Sequence, residues 1–242
     1  MKTSTPALAL WAHRGSHGPA GPLENTLAAF ERAVAEGAAG IELDVHLSAD
    51  GLPVVFHDET LTRLSPDADP RRIEDVPLAE LVTLELVGGA RMPTLADVLD
   101  ALIGRILLNI ELKDPAGVQA TAKLLRGRAG AGVMLSSFAE SAVAAATRLL
   151  PKRPRALIVE CGDAGALDPL GALERTGATH YHPEHGLVHR RLAAAVKRPI
   201  NVWTVNDPAI ARRMARCGVS GVMTDRPAWL ARALERRAGA IR

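Results

Sequence analysis

Eight short strand-like runs, each followed by a helix-patterned stretch, recur along the chain. They end near His13, Asp44, Glu111, Ser137, Glu160, His182, Val205 and Asp225. Alternating strand and helix signals predict a parallel sheet with helices outside it. Eight such units in 242 residues predict one (β/α)8 TIM barrel, a single domain over residues 1–242. Helix starts are legible too: Glu24-Asn25-Thr26 opens a helix that stops at Gly37, and Thr94 reads as an N-cap.

The second run carries an extra limb. Residues 41–47 alternate apolar and polar, Asp50-Gly51 marks a tight turn, and Leu52–Phe56 is β-rich. With Asp50 and Gly51 as the two central turn residues, Asp44 stands opposite His57, about 5 Å away. Glu42 shares that face, being two residues from Asp44. The return limb is additional to the eight strands. Residues 58–93 then form a mostly polar insertion before the next helix, with a short helix over Leu78–Leu84.

In such a barrel, function gathers at the C-terminal strand ends. There the sequence sets His13 and Arg14 after strand one, Glu42 and Asp44 on strand two, and Glu111 and Lys113 on strand three. Carboxylates, cations and imidazoles on three consecutive strands point to a built site rather than to solvated surface charge.

Composition narrows the partners. A net charge of +2 gives no reason to expect nucleic acid. The chain is 48% hydrophobic, yet no run reaches the length of a membrane span, and Ala7–Trp11 is too short for a signal h-region. Cys161 and Cys217 make neither a metal motif nor a disulfide framework, and read as two buried thiols in a cytoplasmic, reducing compartment. Arginine thickens over Arg232–Arg242, as on a solvated helix face.

The ordered set His13-Arg14-Gly15, Glu24-Asn25-Thr26, Glu42-x-Asp44 with its Asp50-Gly51 turn and His57-Asp58, Glu111-Leu112-Lys113, Trp203-Thr204-Val205-Asn206 and Thr224-Asp225-Arg226-Pro227 resembles the glycerophosphodiester phosphodiesterase family. Ser220 departs from that pattern, at the start of the last strand. The resemblance implies a metal-dependent barrel that cuts glycerophosphodiesters to glycerol 3-phosphate and an alcohol. It implies Glu42, Asp44 and Glu111 as ligands of one divalent cation, and His13 and His57 as the acid/base pair. Arg14 and Lys113 would hold the phosphate, and Trp203 would line the substrate cleft.

The residue types suit that chemistry. Three carboxylates are a hard oxygen site, fitting Mg²⁺ or Ca²⁺. Arg14 can grip phosphate oxygens in two places and Lys113 adds a point charge. Two imidazoles titrate near neutrality, so one can take a proton while the other gives one. Which does which stays open, as does the nucleophile, either water or the substrate's own glycerol hydroxyl. Two rival readings remain: a phospholipase-D-like or lysophospholipid-cleaving barrel, and a non-catalytic phosphate-binding barrel. The expected partner is a small glycerophosphodiester, with no stable membrane insertion; the oligomeric state is left open. Among the other histidines, His46 is expected to face solvent and His182 to reach the cleft rim.

Overall fold

The computed structural model describes residues 8–128 and 132–236. Lys2, Ala7 and the arginines from Arg237 onward lie outside the described residues. Eight parallel strands form the barrel: Ala9–His13, Gly40–Leu47, Leu107–Leu112, Val133–Ser137, Arg155–Val159, His180–Pro183, Asn201–Val202 and Gly221–Thr224. We number them one to eight. Their order is seven, eight, one, two, three, four, five, six. The ring closes between strands six and seven through two parallel bridges, Tyr181 with Ile200 and Glu184 with Trp203.

Strand two explains how this frame carries polar groups. Gly40 to Val45 are all buried, yet they alternate apolar and charged. A strand covered on both faces is usually apolar throughout. Here Ile41, Leu43 and Val45 pack outward with Leu108, Ile110 and Leu112 of strand three against Val98, Leu99 and Leu102. Glu42, Asp44, Asn109 and Glu111 are therefore turned to the barrel interior. At the bottom the interior is plugged: a Cβ on Gly40 would lie 2.3 Å from the Trp11 ring.

The helices follow their sequence signals. Thr26 Oγ1 accepts from the Ala29 amide at 3.2 Å and starts Leu27–Ala35. Thr94 and Asp97 form a reciprocal capping box at the head of Leu95–Leu102. Pro208 and Pro227 begin the last two helices, Pro208–Cys217 and Pro227–Glu235, where a missing amide proton costs nothing.

The hairpin forms, but one residue out of the expected register. Val45 pairs with Val55 and His46 with Val54, so Asp44 stands opposite Phe56 and not His57. The cause is a three-residue turn. The Ser48 amide donates to the Leu52 carbonyl, and Gly51 adopts φ +72, which brings Ala49 into the turn beside Asp50 and Gly51. The returning limb Pro53–Val55 is antiparallel to strand two, and the chain leaves it before His57.

The insertion is less polar in effect than its composition implies. Leu61, Leu64, Ile73, Val76, Leu81, Leu86 and Met92 join Val54 and Phe56 in a separate buried cluster. Asp50 Oδ1, at the hairpin tip, accepts from the Leu78 amide at 2.9 Å and ties the two parts together. The cysteines also differ from expectation: both are free, but Cys161 is exposed at the end of strand five and only Cys217 is partly buried.

Candidate active site

The upper interior of the barrel opens into a cavity lined by His13, Arg14, Glu42, His57, Glu111, Lys113 and Trp203, with Asn109 and His182 also on its wall. One oxygen each from Glu42, Asp44 and Glu111 lies within 4.8 Å of the others. All three carboxylates are buried. Burial, then the neighbouring Asp44 charge, pushes Glu42 and Glu111 above the usual carboxylate range. Asp44 goes the other way: burial is outweighed by Lys113 and Arg14, which hold it well below its ordinary value. Lys113 Nζ sits 2.7 Å from Asp44 Oδ1 and also pairs with Glu111. Glu42 Oε1 is buried with no hydrogen-bond partner. An unpartnered carboxylate oxygen beside two more carboxylates is the donor set a hard divalent cation takes.

The loop after strand one is bent to serve this cluster. Arg14 and Asn25 both hold left-handed backbone, φ +53 and +55, although neither is glycine. Such conformations cost energy and persist where the surroundings enforce them. The Arg14 amide donates to Glu42 Oε2 at 3.0 Å, and its Nε lies 3.3 Å from Asp44 Oδ2. Asn25 Nδ2 donates to Asp44 Oδ2 at 2.8 Å, while its Oδ1 accepts from the Asp44 amide. Gly15 makes the bend possible, since a Cβ there would strike the Ala29 backbone at 2.8 Å.

Each histidine is anchored through Nδ1. His13 Nδ1 donates to Asp225 Oδ1 at 2.8 Å, and His57 Nδ1 donates to Asp58 Oδ1 at 2.6 Å. A carboxylate can only accept, so in both rings Nε2 is left as the titrating nitrogen. Burial lowers both pKa values, against the upward pull of Asp225 on His13 and of Asp44 on His57. Asp225 is itself fixed by Asn206, whose Nδ2 donates to Oδ2 at 2.6 Å. His57 reaches the cavity from beyond the hairpin rather than across it from Asp44. His46 helps to hold it, donating from Nε2 to the His57 carbonyl at 3.0 Å. His46 is thus half-buried and bonded rather than solvent-facing.

Residues 13–229 match the model of the glycerophosphoryl diester phosphodiesterase family. The chain belongs to this family. A glycerophosphodiester phosphodiesterase of Caldanaerobacter subterraneus subsp. tengcongensis is 33% identical over 234 residues, 89% of this chain and 93% of that one. A solved phosphodiesterase of Oleispira antarctica, in complex with the product sn-glycerol-3-phosphate, superposes with a TM-score of 0.83 at 28% identity, covering 94% of this chain and 96% of that one. The glycerophosphodiester phosphodiesterase of Thermotoga maritima gives 0.79 at 28% identity, covering 94% and 98%.

Within this phosphodiesterase fold, seven of the eight residues singled out from the sequence line one cavity, and Asp44 lies against it through its contacts with Arg14 and Lys113. Trp203 stands on the strand-seven side, edge-on to Phe138 at 5.5 Å, with its Nε1 donating to the His182 carbonyl at 2.9 Å. His182 is fully buried in the wall instead of standing at the rim. Sequence reasoning missed the anchoring groups. Asp58, Asp225 and Asn206 lay inside the quoted motifs without a role, and Asn25 was visible only as part of Glu24-Asn25-Thr26.

Proposed function

We infer that this chain hydrolyses glycerophosphodiesters to sn-glycerol 3-phosphate and an alcohol, using one divalent cation held by Glu42, Asp44 and Glu111. The reading is carried by one observation: that carboxylate cluster shares a cavity with His13, His57, Arg14 and Lys113. We read the barrel, residues 1–242, as a single phosphodiesterase domain with its insertion over 58–93.

When bound, the cation offsets the charge that builds on the phosphate as the diester is attacked. The all-oxygen donor set favours Mg²⁺ or Ca²⁺ over a thiolate-preferring metal. The chain's own groups do the rest. Arg14 and Lys113 orient the phosphate and add positive charge. Of His13 and His57, one removes a proton from the nucleophile through Nε2 and the other protonates the departing alkoxide. Trp203 lines the substrate cleft.

The cavity has open space beside it. His57 and Lys113 also border an open depression of about 690 Å³ with His46, Asp58 and Asp114. Deacylated substrates fit this surface better than intact lipid, because the insertion turns its apolar residues into its own cluster. No helix among the described residues is long and apolar enough to cross a membrane. A cytoplasmic setting accords with two free cysteines.

The test is hydrolysis of glycerophosphocholine and of lysophosphatidylcholine, each with Mg²⁺, with Ca²⁺ and with a chelator. Cation-dependent release of sn-glycerol 3-phosphate from the first substrate is expected. Turnover that survives complete chelation sinks the metal assignment, and preference for the lysolipid sinks the substrate class. Binding of phosphodiester without turnover would leave the phosphate-binding barrel.

A further inference from the structure

One cation sits outside the cavity, yet touches both arms of the site. Arg63 belongs to the insertion, on a tight turn fixed by buried Leu61 and Leu64, where the Leu64 and Ser65 amides both donate to the Leu61 carbonyl. Its Nε donates to Asp58 Oδ2 at 2.6 Å and its Nη2 to Asp58 Oδ1 at 3.0 Å. The other side of the guanidinium meets Glu24, Nη2 to Oε1 at 2.7 Å and Nη1 to Oε2 at 3.2 Å. Each carboxylate passes the connection inward. Asp58 Oδ1 also accepts from His57 Nδ1, and Glu24 Oε1 also accepts from Arg14 Nη1 at 3.0 Å. A continuous path therefore runs His57, Asp58, Arg63, Glu24, Arg14.

We propose that Arg63 is a positioning residue for the phosphodiesterase reaction, one guanidinium whose two edges set the imidazole of His57 and the guanidinium of Arg14 at the same time. The proposal rests on the functional reading above. What the pairs add to folding is screened on the Arg63 side, which is 45% exposed. Geometry accounts for the arrangement. A planar fork offers paired N–H groups to each of two carboxylates, where an ammonium offers each a single contact. Without Arg63, Asp58 is free to rotate and His57 loses its fixed Nδ1 partner. Glu24 then spends its whole charge on Arg14 and draws that side chain away from Asp44 and the phosphate. Each residue of Glu24-Asn25-Thr26 thereby acquires a role. Glu24 joins the two arginines, Asn25 holds Asp44, and Thr26 caps the helix.

The experiment compares steady-state kinetics on glycerophosphocholine, with saturating divalent cation, for wild type and Arg63→Ala, Arg63→Lys, Asp58→Asn, Glu24→Gln and His57→Ala. Arg63→Ala should lower kcat at least ~10-fold, the loss of one charge-assisted hydrogen bond, and should raise KM, with little change in Tm. Asp58→Asn should reproduce the kcat part and Glu24→Gln the KM part. In the Asp58→Asn background, the kcat effect of Arg63→Ala should shrink to under ~2-fold, as for groups acting in one chain. Guanidinium below denaturing concentrations should restore kcat to Arg63→Ala. If Arg63→Ala does not fold, Arg63→Lys takes its place and should lose kcat by the same factor. Wild-type kcat and KM in Arg63→Ala overturn the proposal, as does full activity in Arg63→Lys, which would leave a bare charge requirement. If His57→Ala itself keeps wild-type kcat, the functional reading fails. If His57→Ala is inactive while Arg63→Ala is not, this inference alone fails.

Discussion

His13 and His57 line the same cavity from supports of different kinds. His13 ends a barrel strand, and its partner Asp225 follows another barrel strand and is fixed by the neutral amide of Asn206. His57 stands off the barrel, past the hairpin limb, and its partner Asp58 is fixed by the half-exposed cation of Arg63. Both rings are anchored at Nδ1. One anchor is built into the sheet and the other is hung from an insertion with its own small core. A third histidine calibrates the pair. His182 is as deeply buried as any residue here, but its ring partner is the Asn201 amide and no carboxylate, and burial pushes its pKa down to about 3. Burial lowers His13 and His57 as well, but carboxylates oppose it there: Asp225 at His13, and first Asp44, then Asp58, at His57.

The largest effect should come from removing the rings themselves. His13→Ala and His57→Ala should each lower kcat by at least ~10²-fold, the low end for a lost general acid or base, while cation binding measured by calorimetry survives. A nitrophenyl phosphodiester separates the roles, because its leaving group needs little protonation. The variant lacking the acid should recover on that substrate and the variant lacking the base should not. Near wild-type kcat in both variants, or loss of cation binding in both, rules out the acid/base pair.

The next effect tests the built-in support. Asn206→Ala removes a charge-assisted hydrogen bond from Asp225 and should lower kcat about 10-fold. It should also lower Tm, because the Asn206 Oδ1 that serves Thr224 Oγ1 and the Asp225 amide goes with it. A variant with unchanged kcat would mean that Asp225 holds its place without help.

The third histidine should set an acid limit to stability. Its folded pKa lies below the unfolded value of 6.5, so the unfolded chain binds the extra proton first. His182 contributes stability above pH 6.5, and that contribution is lost as pH falls from about 6.5 towards 3. The slope is about 1.4 kcal/mol per pH unit for one proton. Urea unfolding of wild type and His182→Gln between pH 7 and pH 4 measures it. Equal slopes would assign the acid sensitivity elsewhere.

The smallest effect distinguishes the supports by screening. Salt weakens a half-exposed ion pair by up to about 1 kcal/mol and leaves a buried amide contact alone. Raising ionic strength should therefore lower wild-type kcat a few-fold, and should leave kcat of Arg63→Ala flat. Parallel salt curves for the two proteins would show that the response arises outside the His57 arm.

The sequence revealed the two rings and hid the supports of both, for a physical reason. His13, Glu42, Asp44 and Glu111 were legible because they fall at the C-terminal ends of three consecutive strands, where a barrel gathers its function. The barrel itself followed from the eight-fold alternation. The hairpin register was not legible. Asp50-Gly51 serves a two-residue or a three-residue turn equally well, and only Gly51 in left-handed backbone decides between them. Arg63 was not legible at all, because its partners lie in Glu24 and Asp58, which no local periodicity connects. His182 was misplaced by one layer, since a strand of four residues gives no measure of depth.

The closure of the barrel has its own consequence. Strands six and seven meet through two isolated bridges, and in an eight-membered ring that junction lies across from strands two and three, which share a continuous six-pair ladder. The Glu42, Asp44 and Glu111 side should therefore have the stiffer backbone, and the Trp203 side the looser one. Amide exchange at Tyr181 and His185, whose donors cross the junction, should outpace exchange through Leu43–Val45. Exchange in that order would mean that the cavity yields at its aromatic wall while its carboxylate wall keeps its spacing.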